Sequence, residues 1–166
     1  MKVIAIYIVA VAALTGLGYF LFQQSTTAPE DMPGQMIEVM NAIHIEQGST
    51  DHPAYNSNPP TSGWHWPQPA EWGAYGEIMA DEQIIHNLEH GGIWISYQPD
   101  LSSSEVEQLN DFAKRYRKII VSPRPANETK IALAAWGHLQ NIDGYDEGVI
   151  LKFIRAFYDK GPEKAD

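Results

Sequence analysis

Hydrophobic and polar positions alternate along this chain with changing period, and the changes mark its elements. Val3 to Phe22 (VIAIYIVAVAALTGLGYFLF) contains no charge. Twenty residues at about 1.5 Å each span a hydrocarbon core of about 30 Å, so a transmembrane anchor is expected over 3–22. Lys2 precedes it, and no Lys or Arg follows until Lys114. The positive-inside rule puts the N-terminus in the cytoplasm and the remainder outside. A cleaved signal peptide is the rival. The run is long for one, and no small-x-small cleavage site stands out. Residues 23–34 (QQSTTAPEDMPG) read as a polar linker, and 35–166 as one extracytoplasmic domain.

Gln35 to Ile45 fits a short helix or a strand equally. Gln47 to Ala80 carries turn signals every few residues, with Trp64, Trp66, Trp72, Tyr55 and Tyr75 among them. Disordered segments avoid aromatics, so this stretch is expected to be an ordered loop folded against the domain. Asp81 to His90 reads as a helix, with Asp81 as N-cap and Gly91 as its stop. Ile93–Tyr97 (IWISY) is a β-branched and aromatic strand. Ser104 and Glu107 have capping-box spacing, and the following helix, Glu105–Tyr116, puts Val106, Leu109, Phe112 and Ala113 on one face. Strands are expected over Lys118–Ser122 and Lys130–Gly137. A last amphipathic helix over Asp146–Asp159 turns Val149, Ile150, Phe153, Ile154 and Phe157 inward. The order α-β-α-β-β-α predicts an α+β domain: a small mixed sheet with helices on one face. Its first two strands are parallel through a right-handed crossover, and the third is antiparallel to the second.

Charge and composition narrow the chemistry. The net charge is −10, and no cysteine is present. Thiolate catalysis, dithiol redox chemistry and Cys-type zinc sites are therefore excluded. Between Gln23 and Ala113 there is no basic residue, although acids recur throughout. Such a surface attracts cations and repels phosphate, so nucleic acid is not expected as a partner. Five of the six histidines (His44, His52, His65, His86, His90) share this half.

His86 and His90 in "HNLEHGG" are four apart, on one face of the expected helix with Cβ atoms about 5–6 Å apart. They can converge on one ion. Divalent ions want three or four ligands, and the loop offers His65 and His52. Asp51 and Glu89 are alternative ligands, or acceptors that orient an imidazole. Met79 is a soft alternative for copper. His44 is the weakest of the group, and His138 stands in another context. The metal expected for imidazole ligation without thiolate is copper or zinc. A bland reading remains for each residue. A histidine at a helix C-terminus is favoured there by about 0.3–1 kcal/mol without any ion, and His65 can be a packed loop residue.

Two other functions are weighed. "HNLEH" fits the H-x-x-E-H pattern of inverted zinc metallopeptidases, with the Glu as base. Too little chain follows His90 for their third ligand and substrate-enclosing domains, and no nucleophile-elbow motif is present. The Trp-rich loop offers a platform for a glycan or a partner protein, making the chain a non-catalytic accessory subunit. Large aromatics also serve as interior packing.

The stretches "YNSNPPTSGWHW" and "HNLEHGGIWISY" together resemble the bacterial domain-of-unknown-function family 3105, over about Ile43 to Gly137. That resemblance implies one N-terminal membrane helix and an outer domain. It brings His65, His86, Glu89 and His90 into motif positions, and His52 more loosely. It supplies no activity. The expectation is thus a membrane-anchored, extracytoplasmic metal-binding protein serving acquisition, storage or delivery of the ion, with a membrane-protein partner as the recipient.

Overall fold

The computed structural model describes residues 32–163. The expected anchor over 3–22 and most of the linker lie outside these residues. Among the described residues no helix is long and apolar enough to cross a membrane.

Six strands and three helices are described. They are β1 (Gln35–Met36), β2 (Gly73–Ala74), α1 (Asp81–Glu89), β3 (Ile93–Tyr97), α2 (Ser103–Arg115), β4 (Ile119–Pro123), β5 (Ile131–Ala135), β6 (His138–Ile142) and α3 (Glu147–Phe157). They form an α+β domain around one mixed sheet of order β1-β6-β5-β3-β4-β2. β3 and β4 are parallel, as expected of strands joined through a helix. β5 runs antiparallel, but it pairs with β3 rather than β4. The β5–β6 hairpin turns at Gly137, whose φ of 69° favours glycine. β6 (HLQNI) went unanticipated, because its polar composition carries no strand signal. Its pairing with β5 supplies the order that its side chains do not.

The expectation of helices on one face is corrected. The central strands are buried on both faces, so each face needs its own cover. On one face Ile95, Val121 and Leu133 pack with Leu109 and Phe112 of α2 and with Ile150, Phe153 and Phe157 of α3. On the other, Trp94, Ile120, Ala132 and Ala134 pack against Ile84 and Leu88 of α1 and against Ala70, Trp72 and Met79 around the long loop. The right-handed crossover rule governs only the helix between two parallel strands, here α2. α1 precedes β3 and is free to take the opposite face.

Helix starts also shift. α1 begins after Ala80 with no side-chain cap, and Asp81 is its first helical residue. The Asp81 carboxylate is taken instead by Arg124, whose Nε and Nη2 donate to its two oxygens at 2.9 and 2.7 Å. The capping box of α2 is Ser102 with Glu105, two residues ahead of the expected pair. Asp146 caps α3 by accepting from the Val149 N–H at 3.0 Å.

The loop is ordered, as its aromatics suggest. The Trp66 indole donates to the Ser49 carbonyl at 2.8 Å, and the Tyr55 hydroxyl to the Trp64 carbonyl at 2.7 Å. Trp64, Trp66 and Trp72 are each half-buried. Trp72 is the one packed into the second core, where its ring lies against Gly92 so closely that a Cβ there would sit 2.5 Å from it.

Phe153 is fully buried between α3 and the sheet. Phe153→Ala should lower unfolding stability by about 3–5 kcal/mol through lost burial and a residual cavity. Met36→Ala, at an 83% exposed position, should stay within about 0.5 kcal/mol. Urea denaturation followed by fluorescence measures both, and equal losses would contradict this core.

Candidate metal centre

Three segments bring the histidines together. The chain after β1 runs beside the loop, where His44 and His65 form an isolated parallel bridge. The Ile45 N–H donates to the His65 carbonyl at 2.9 Å, and the His65 N–H to the Ile43 carbonyl at 3.0 Å. Facing residues of a parallel bridge present their side chains on one side. α1 supplies His86, and the loop is tied to α1 at that level: the Trp66 N–H donates to the Glu82 carbonyl at 3.1 Å. Ligand nitrogens of His44, His65 and His86 all lie within 4.8 Å of one another.

The rings are oriented by backbone carbonyls. His65 Nδ1 is 2.8 Å from the Gly63 carbonyl oxygen, and His86 Nδ1 is 2.7 Å from that of Trp66. A carbonyl only accepts, so each Nδ1 carries the proton and donates it. This leaves both Nε2 atoms as lone-pair donors in the neutral rings, the tautomer that a metal ion uses. His65 is 0% exposed. Its Nε2 lies 3.0 Å from Glu89 Oε2, yet it makes no hydrogen bond of acceptable direction. Distance and direction disagree here, and direction decides whether a hydrogen bond forms. The atom is therefore buried, close to a carboxylate and under-used.

The donor set suits an ion. Zinc–nitrogen bonds of about 2.0–2.1 Å in tetrahedral geometry put nitrogens about 3.3 Å apart. From a largest separation of 4.8 Å, closure of at most about 1.5 Å would complete that geometry. His44, the exposed member, has the most freedom to provide it.

The remaining expected residues divide. His90 is adjacent: its ring centroid is 4.6 Å from that of His86, but it does not join the converging trio. Glu89 is buried against His65. His52 also stands outside the trio. Its Nδ1 faces the Pro53 carbonyl at 2.8 Å and its Nε2 faces Glu82 Oε1 at 3.1 Å, so both ring nitrogens are engaged. Asp51 is exposed, and its N–H donates to the Ser49 hydroxyl. Met79 packs against the second core. His44, expected to be the weakest of the group, stands in the converging trio. It lies in a segment without periodicity, and only its bridge to a distant loop residue brings it in.

The electrostatics of two rings differ in sign. Burial pushes the His86 pKa down, the neighbouring His90, His65 and His44 push it further, and the Trp66 carbonyl pulls the other way. At His52 burial also lowers the pKa, but the Pro53 carbonyl and the Glu82 carboxylate outweigh it, and the net shift is upward.

The sequence pattern of the family described as "Protein of unknown function (DUF3105)" matches residues 46–166, and the chain belongs to that family. His52, His65, His86 and His90 fall within the matched span, and His44 just before it. No curated protein and no solved structure matches the chain.

Imidazole NMR over about pH 5 to 8 should show His52 titrating above 6.5 and His86 below it. The stability consequences are opposite. The His52 contribution is fully present below 6.5 and is lost as pH rises through its raised folded value. The His86 contribution is present above 6.5 and is lost as pH falls through its lowered folded value. The reverse order of titration would show that the two environments are misassigned.

Proposed function

We propose that the domain binds one copper or zinc ion through His44, His65 and His86, in a membrane-anchored protein whose outer domain acquires, stores or delivers that ion. The observation carrying this reading is the pair of rings fixed by carbonyls at Nδ1, with the buried Nε2 of His65 left without a well-directed partner. A buried polar atom in that state is costly unless something binds it. Glu89, whose Oε2 lies 3.0 Å from His65 Nε2, supports the reading as an additional oxygen ligand. Neutral imidazoles without thiolate suit Zn²⁺ and Cu²⁺, and intrinsic affinity favours copper. The acid-rich first half favours a cation approaching the site. The anchor and the location outside the cytoplasm rest on the uncharged run 3–22 and its flanking charges alone.

Metal analysis after loading and desalting, with competition titration against a chelator, tests the reading. Wild type should retain one ion per chain, and His65→Ala/His86→Ala should lose at least about a hundredfold in affinity, the order seen when ligand support is removed. Binding should weaken as pH falls through the histidine range, about 6.5 for an unperturbed ring, because protons compete for the same nitrogens. A wild type that binds no more tightly than the double variant would end the metal reading.

A further inference from the structure

The fourth imidazole, His90, faces the Glu163 carboxylate, as His65 faces that of Glu89. α3 ends at Phe157, and the chain then crosses back over the glycine turn after α1 as a short strap, Asp159–Glu163. The Asp159 N–H donates to the Gly91 carbonyl at 2.8 Å, and the Glu163 N–H to the Glu89 carbonyl at 3.1 Å. Gly91 and Gly161 meet backbone to backbone, and a Cβ on either would collide with the other segment. Lys118 locks the crossing, donating to the His90 carbonyl at 3.1 Å and to Asp159 Oδ1 at 2.5 Å. The strap thus closes on the carbonyls of residues in "HNLEHGG", and its end brings Glu163 Oε2 to 3.4 Å from His90 Nε2.

The backbone part of this closure and its side-chain end differ in strength. Two backbone hydrogen bonds and a buried lysine hold the strap. The Glu163–His90 contact is long for a charge-assisted hydrogen bond, and Glu163 is 60% exposed. Exposed pairs of this kind contribute little. Meanwhile the His90 ring already touches that of His86, edge to face.

We infer that His90 is a reserve ligand, latched by Glu163, which exchanges its carboxylate partner for the ion once His44, His65 and His86 have captured it. The inference rests on the proposed metal site and adds its regulation. The strap backbone stays in place during the exchange, and only the Glu163 side chain lets go. The ion then gains a fourth nitrogen, and whatever draws Glu163 back onto His90 lowers the grip on the ion. In the exchange the ion-pair contact with Glu163 is lost, the Nε2 proton of His90 passes to solvent, and a metal-bound water leaves as the nitrogen–metal bond forms.

The test uses Cu²⁺ as probe with the full-length chain. Electron paramagnetic resonance should report four nitrogen donors in wild type and three in His90→Gln, with one ion still bound. Glu163→Gln, at an exposed position that leaves the fold intact, should keep the four-nitrogen spectrum and raise Cu²⁺ affinity about two- to fivefold, the range set by a weak exposed pair. Identical spectra for wild type and His90→Gln, or unchanged affinity in Glu163→Gln, would overturn the latch while leaving the three-histidine site standing. A wild type that binds no Cu²⁺ would overturn both.

Discussion

The side-chain amide of Asn87 holds the two halves of the site in register. Its nitrogen donates to the Ala70 carbonyl and its oxygen accepts from the Ala70 N–H, each at 2.8 Å and each buried. The amide mimics a backbone partner, so a loop without regular structure meets a helix as if both belonged to one ladder. The Trp66 carbonyl accepts from Nδ1 of His86, the residue next to Asn87, and His65 precedes Trp66 in the docked loop. Without the Asn87 clamp the loop would have to satisfy its buried amides elsewhere, and the imidazoles would not share a centre.

A second polar cluster fixes the far side of the same docking. Arg124 holds Asp81 with a two-pronged contact and also donates to Asn58 and Asn127. It therefore ties the loop, the start of α1 and the end of β4 into one satisfied group, with its guanidinium 5.7 Å from the Trp94 ring. Arginine suits this role because its donors lie in a fixed plane and its charge is weakly hydrated. The loop is held at Asn58 by Arg124 and near Ala70 by Asn87, and the span between these anchors contains His65.

Much of the fold was legible because burial leaves a periodic trace. IWISY, KIIVS and IALAA read as strands, and Leu109, Phe112, Phe153 and Phe157 mark inward helix faces. The failures have a common physical source. β6 is recruited by pairing rather than by its side chains. β5 chose β3 over β4 through contacts distant in sequence. Asp81 looked like a cap because nothing local announced Arg124. At the site, His65, His86 and Glu89 were legible from short motifs with loop and helix context. His44 was not, since a residue in an aperiodic segment acquires meaning only from what packs beside it. His52 shows the converse: its place in the loop says nothing of its contact with Glu82 across 30 residues.

Among the three converging imidazoles two are buried and one is exposed. For the ion proposed above, that asymmetry would separate affinity from exchange. The buried pair would set how tightly an ion is held, whereas release would begin at His44, the ring that solvent or another molecule can reach. A competing ligand would need only to displace that one ring to gain a foothold, after which the remaining bonds could be exchanged one at a time.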